Sequence, residues 1–224
     1  MSGEPSPPDE PPDEPDVDLD DDLEAFLEAW DEADHEAAAI LCGALEHGRG
    51  QPAPGETLAA VAGRVRDGLR ERGHPFGWIR KAAGLEEEPL PDSDVELVLR
   101  CAAATISPYE ETGLDPEEEA ILLSLEHADW LGAIVSVVRE GPGADASPEA
   151  LIDGIRACPE VELDADLDLD EEVHLEAAFS ILGLPWHVLG LTDRDERLTA
   201  LGAWILPRAL ARAWGSDFDA AADG

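Results

Sequence analysis

A short basic segment is the part of this sequence whose residue types most directly suggest a binding site. Residues 63–81, GRVRDGLRERGHPFGWIRK, contain six basic and two acidic side chains, which gives a local charge of +4 in a chain of −39. Guanidinium groups bind carboxylates and phosphates, and aromatic rings stack beside them. The pattern predicts a site for an anion or an acidic partner, formed by Arg64, Arg66, Arg70, Phe76, Trp78, Arg80 and Lys81.

The same basic residues have a second interpretation, in which they pair with carboxylates of their own chain. The run Glu86, Glu87 and Glu88 follows the segment directly. Arg66 and Arg70 lie one turn apart on a helix, where like charges repel, so they do not stabilise that helix by themselves. The residue pattern is compatible with both interpretations.

An acidic run resembles a calcium-binding loop only superficially. Four aspartates alternate in DADLDLDEE, residues 164–172. A twelve-residue calcium loop needs glycine at its sixth position and glutamate at its twelfth. Those positions are Leu169 and Leu175 here, so we expect a solvated acidic linker.

The remaining residues of catalytic type form no recognisable motif. The six histidines show neither an HExxH motif nor a pair at i and i+4. Glu171 and His174 have the Glu-x-x-His spacing of di-iron bundles, which also need a second such pair. Cys42, Cys101 and Cys158 lie far apart, and we expect them to be reduced and buried. We therefore predict no catalytic residues, no metal and no cofactor.

The large excess of acidic over basic residues indicates that the chain folds in a solvent of high salt concentration. The sequence has 53 acidic against 14 basic residues. At molar salt the Debye length falls to about 3 Å, which screens this self-repulsion. The composition is typical of salt-accumulating extreme halophiles, and we expect folding to require K+. Because such organisms have acidic proteomes, the charge does not exclude nucleic acid as a partner.

The spacing of apolar residues predicts an all-α protein. Residues 1–18, acidic and rich in proline, read as a disordered tail, residues 19–215 as one helical domain, and residues 216–224 as a flexible C-terminus. Helices are predicted at about 19–47, 56–72, 94–105, 117–140, 148–158, 171–183 and 193–214. No signal peptide and no run of eighteen apolar residues is present, so we expect a cytoplasmic protein without a membrane span.

Capping residues support three of these helix starts. Asp115-Pro116 precedes the helix at 117–140, Ser147-Pro148 precedes the next helix, and Thr192 precedes the last. Serine, threonine and aspartate accept hydrogen bonds from the free N–H groups of a first turn, and proline suits the first helical position.

Two diagonals of self-similarity indicate an internal duplication. A shift of 93 aligns the Gly-x-Gly loop at residues 48–50 with residues 141–143, and a shift of 77 aligns Pro108-Tyr109 with Pro185-Trp186. We predict copies at about 37–128 and 130–214 that share the helix at 117–140 and form one helical body. Copy one is 16 residues longer between Val61 and Pro108, since the shift falls from 93 to 77, and this interval contains the basic segment.

One five-residue stretch resembles a known family. SPYEE, residues 107–111, is similar to the PYES segment of the TorD-like redox-enzyme chaperones, which are all-helical and of about this length. The early aromatic-x-x-Leu-Phe motif and the later Asp-His motif of that family are absent. The resemblance implies a role in redox-enzyme maturation.

These observations favour a non-enzymatic helical adaptor or regulator that binds a protein partner. One alternative is a nucleic-acid-binding transcriptional regulator that uses residues 63–81. A second alternative is the TorD-like chaperone role, or an enzyme with an unrecognised site for a small ligand.

Overall fold

The structure is a computed structural model, and it describes residues 55–106, 114–123, 125, 127–157 and 169–213. The helices in these ranges are α1 (Gly55–Glu71), α2 (Phe76–Ala82), α3 (Asp94–Ile106), α4 (Pro116–Leu123), α5 (His127–Glu140), α6 (Pro148–Arg156), α7 (Leu169–Val188) and α8 (Ala200–Ala213). Within these ranges the only β-structure is two isolated bridges. The predicted all-α fold is confirmed.

One hydrophobic cluster contains buried residues from each of the eight helices. α3 packs against α8, α5 against α6, and α6 against α7, while α1 and α2 pack on α3. At its centre the rings of Trp130 on α5 and Phe179 on α7 meet edge to face, with centroids 5.9 Å apart. Trp186 of α7 is also buried, and its indole Nε1 donates to the Thr105 hydroxyl of α3 over 3.1 Å. The described helices therefore share a single core.

The predicted cap at Ser147 explains the start of α6, and a hydrogen bond from the backbone of Asp115 accompanies the start of α4. The Ser147 hydroxyl accepts from the Ala150 amide over 3.4 Å, with Pro148 as the first residue of α6. α4 begins at Pro116, and the Asp115 amide donates to Glu118 over 3.4 Å. Ser93, which the sequence analysis did not single out, accepts from the Glu96 amide at the start of α3.

Three predicted helices differ from the observed ones. The single helix expected at 117–140 is divided into α4 and α5, and Leu125 between them is not helical. The helix expected from residue 193 begins only at Ala200, because Thr199 rather than Thr192 provides the cap: its hydroxyl accepts from the Gly202 amide over 2.8 Å. Pro185, expected to follow the end of a helix, lies inside the last turn of α7.

A hairpin segment, residues 190–199, occupies the stretch that was predicted to be helical. The Thr199 amide donates to the Leu191 carbonyl over 2.9 Å. Its outer limb also pairs with residues 143–146, where Leu198 accepts from the Gly143 amide over 2.7 Å and donates to the Ala144 carbonyl over 2.9 Å. The loop before α6 and the loop before α8 are thus joined by backbone hydrogen bonds.

Several predictions fall on residues outside the described ranges. These are the tail at 1–18, the helix at 19–47, Cys42, Cys158, the SPYEE stretch and residues 216–224. The duplication also stays a prediction, because the copy-one loop at 48–50 and the Pro108-Tyr109 element lie outside too. α2 lies in the interval by which copy one is longer. In the described part of the chain, no helix is long and apolar enough to cross a membrane.

Candidate functional site

The structure distributes the seven candidate residues of the basic segment over several surroundings. Arg66 on α1 is turned inward, against the loop that leads into α3. It forms an ion pair with Asp94 and donates to the carbonyl oxygens of Pro91 and Asp92 over 3.2 and 2.8 Å. Its guanidinium therefore holds the loop before α3 in place.

Arg80 is also engaged within the chain, through carbonyl groups. It donates to Leu69 over 3.3 Å and to Glu86 over 3.5 Å, and its buried Nε makes no hydrogen bond. The Glu88 carboxylate pairs with Arg100 over 2.9 Å. Arg66 and Arg80 are therefore bound within their own chain, although neither pairs with a carboxylate of residues 86–88.

The aromatic residues of the segment serve the core. Trp78 is only 5% exposed, so its ring is not available as a stacking surface beside Arg80. Phe76 is half-buried and lies directly over Gly68: a Cβ placed on Gly68 would come within 2.3 Å of the Phe76 ring. These contacts attach α2 to α1.

The other basic residues of the segment differ in their accessibility. Arg70 is exposed and pairs with Asp67 one turn away over 3.0 Å. Lys81 is half-buried. Arg64 is exposed and forms no ion pair with any described residue. Only Arg64 among the seven candidates lines the groove described next.

This Arg64 groove has a volume of about 470 Å³ and lies between α1, the end of α7 and the hairpin segment. It is lined by Thr57, Ala60, Val61, Arg64, His187, Gly190, Thr192, Asp193 and Thr199. Gly190 has a φ of +71°, and a Cβ there would approach Cγ2 of Val61 to 2.7 Å. Only glycine combines this backbone angle with so close a contact, so Gly190 brings the hairpin segment against α1.

Some of the polar groups that line the Arg64 groove already form hydrogen bonds within the chain. The Thr199 hydroxyl donates to the Gly190 carbonyl over 2.6 Å. One carboxylate oxygen of Asp193 accepts from the amides of Asp195 and Arg197 over 2.9 and 3.0 Å, which shapes the hairpin turn. By contrast, Nδ1 of His187 is buried without a hydrogen-bond partner.

α7 has a second apolar face besides the one that it buries. Leu175, Phe179 and Leu182 face the core, whereas Val173 and Leu184 on the other side are 56% and 45% exposed. The partly buried residues Ala177, Ile181 and Val188 follow the same stripe at steps of three and four residues, and Ile181 and Val188 also pack against the edge of the hydrophobic core. We call Val173, Ala177, Ile181, Leu184 and Val188 the outer face of α7.

Among the described residues, no group of three or more histidine, cysteine or acidic side chains could hold a metal ion. Residues 164–168 of the alternating aspartate run lie outside the described ranges, while Leu169 and Asp170 begin α7. The prediction of a linker is therefore wrong for residues 169–172, which are helical. Cys101 is buried, and burial raises the pKa of its thiol to about 12, which suits a structural residue.

Sequence reasoning identified Arg64 but not the other polar residues of its groove. His187 and Thr192 were considered only as an isolated histidine and as a helix cap. Their joint position depends on the hairpin segment, whose pairing with residues 143–146 leaves no local signal in the sequence. Comparisons with protein-family profiles, with curated protein sequences and with solved structures find no match for this chain.

Proposed function

We propose that this chain is a helical adaptor that binds a protein partner through the outer face of α7. The exposure of Val173 and Leu184 is the observation that carries the proposal. Apolar side chains at this helical spacing are the anchors by which a helix binds the groove of a partner protein. The stripe extends from Val173 to Val188, which is about 22 Å at 1.5 Å per residue and matches a partner helix of about four turns.

Charge supports a partner with basic residues beside its apolar contacts. The chain has a net charge of −39, and Glu176 is exposed on α7 itself. Complementary charges at the rim of an interface favour the encounter and fix the register. The setting that fits the composition is the cytoplasm of a salt-accumulating halophile.

A second candidate function, nucleic-acid binding, is favoured by the order of elements after α4. α5 is followed by the loop residues 143–146, then by α6, α7 and the hairpin segment, and the loop residues pair with the hairpin. This is the connectivity of a winged helix-turn-helix domain. In such domains the helix in the position of α7 enters the major groove.

The charges of these elements favour protein over nucleic acid. α7, LDEEVHLEAAFSILGLPWHV, contains neither arginine nor lysine. The hairpin segment has three acidic residues and two arginines, one of which, Arg197, pairs with Asp145 over 3.2 Å. Contacts with nucleic-acid phosphates need basic side chains that are not already engaged. In the basic segment, Arg66 and Arg80 are engaged within the chain.

The proposal is tested by co-purification from a lysate of the source organism in multimolar KCl. The test variant is Leu184→Asp, and the matched control is Ala59→Asp, which places the same charge on an exposed position of α1. We expect a defined protein to bind the wild type and the Ala59 variant and to be lost from the Leu184 variant. Equal recovery with Leu184→Asp, or recovery of nuclease-sensitive DNA in place of a protein, would contradict the proposal.

A further inference from the structure

We propose that the Arg64 groove binds a small organic molecule that carries an oxyanion, either a carboxylate or a phosphate. This inference is independent of the adaptor role, since it concerns a different surface. The groove's volume of about 470 Å³ lies within the range of roughly 300–1,000 Å³ that is usual for small-ligand sites.

The first observation behind this proposal is the state of Arg64. Arg66, Arg100 and Arg212 pair with carboxylates, whereas Arg72 is exposed and, like Arg64, forms no ion pair with a described residue. Arg64 forms no ion pair with any described residue, although acidic residues outnumber basic ones by 53 to 14. A guanidinium that is left open at the wall of a groove provides the paired donors that a carboxylate or phosphate accepts.

The second observation concerns the hydrogen-bonding groups of two other lining residues, His187 and Thr192. Nδ1 of His187 is buried without a partner, and the Thr192 side chain is only 5% exposed where it lines the groove. A ligand that supplies a hydrogen bond to a buried polar atom removes the cost of leaving that atom unpaired. Val61 and Ala60 supply apolar contacts for the uncharged part of the ligand.

Asp193 determines how the groove discriminates among ligands. Its carboxylate lies in the lining, and one of its oxygens is used by the hairpin turn. The negative charge opposes a second anionic group, so the groove is suited to a ligand with a single oxyanion. An asparagine in its place keeps the accepting oxygen of the turn and removes the repulsion.

Isothermal titration calorimetry of the full chain in KCl tests the inference, with acetate, benzoate, inorganic phosphate and glycerol phosphate as probes. We expect saturable binding of at least one probe, and the panel distinguishes carboxylate from phosphate. Arg64→Gln should weaken the affinity by about tenfold or more, because it removes a charge-assisted hydrogen bond. Asp193→Asn should strengthen it.

Arg72→Gln is the matched control, because Arg72 is exposed, has no ion pair with a described residue and lies outside the groove lining. The inference is overturned if no probe binds saturably, or if the Arg64 and Arg72 variants bind equally. Leu184→Asp should leave anion binding unchanged. Failure of the adaptor proposal and failure of this one are therefore separate results.

Discussion

Gly202 near the start of α8 allows a sharp test of the packing that supports the hairpin segment. A Cβ at this position would lie 2.0 Å from the Leu191 carbonyl oxygen and 2.9 Å from Cδ1 of Leu198. The Leu198 side chain can move aside, but the Leu191 oxygen belongs to the backbone. Gly202→Ala therefore forces α8 and the hairpin segment apart.

The magnitude follows from two opposing terms. Overpacking costs about 1–3 kcal/mol, and a contact with backbone belongs at the upper end of that range. Alanine returns up to about 1 kcal/mol of helix propensity. We expect a net loss of about 1–2 kcal/mol, which lowers the melting temperature by about 2–8 °C in a chain of this size.

Gly63 on α1 provides the matched control, since a Cβ there meets no atom within 4 Å. Gly63→Ala should stabilise the protein by about 0.5–1 kcal/mol through helix propensity alone. The stability of both variants is measured by thermal and urea unfolding in the same KCl buffer, with circular dichroism as the signal. A Gly202 variant at least as stable as the wild type would refute the contact with Leu191, and a destabilised Gly63 variant would refute the propensity argument.

Three further predictions concern contacts within the core and at its edge. Arg66→Gln should lower the free energy of unfolding by about 1–2 kcal/mol, whereas Arg70→Gln at an exposed pair should change it by less than about 0.5 kcal/mol; urea unfolding compares them. Thr105→Val should cost about 1–3 kcal/mol in the same assay, because it leaves the buried Trp186 indole N–H without an acceptor, and Thr105→Ser should restore much of that loss. With the other two cysteines replaced by serine, Cys101 should react with a thiol reagent at mildly alkaline pH only when the chain unfolds, since its pKa of about 12 keeps it protonated; rapid labelling of the folded chain would contradict its burial.

Local sequence patterns were sufficient to predict the positions of two helices, α1 and α3. The predicted helices at 56–72 and 94–105 correspond to α1 (Gly55–Glu71) and α3 (Asp94–Ile106). The spacing of their apolar residues fits one buried stripe, and contacts with distant parts of the chain do not change where these helices begin and end. α7 departs from the proline rule because Pro185 sits in the last turn, where one backbone hydrogen bond is lost while burial of Trp186 keeps the turn in the core.

The pairing of charges could not be obtained from the sequence. Arg66 pairs with Asp94, 28 residues away, although the carboxylates of residues 86–88 lie closer along the chain. Arg64, two positions earlier, remains without an ion pair to a described residue because it lies on the other side of α1. The direction in which each arginine leaves its helix, together with tertiary packing, decides which carboxylate it pairs with. Composition alone does not predict this pairing.

The pairing of residues 143–146 with residues 196–198 closes a ring of about 50 residues that includes α6 and α7. Closing such a ring costs about 3.5 kcal/mol in chain entropy, and its three backbone hydrogen bonds contribute about 1 kcal/mol each. These terms nearly cancel, so the junction has little stability of its own and persists because the helices inside the ring are packed. In hydrogen exchange, the amides of Gly143, Ala146 and Leu198 should therefore open together with α6, as one cooperative unit.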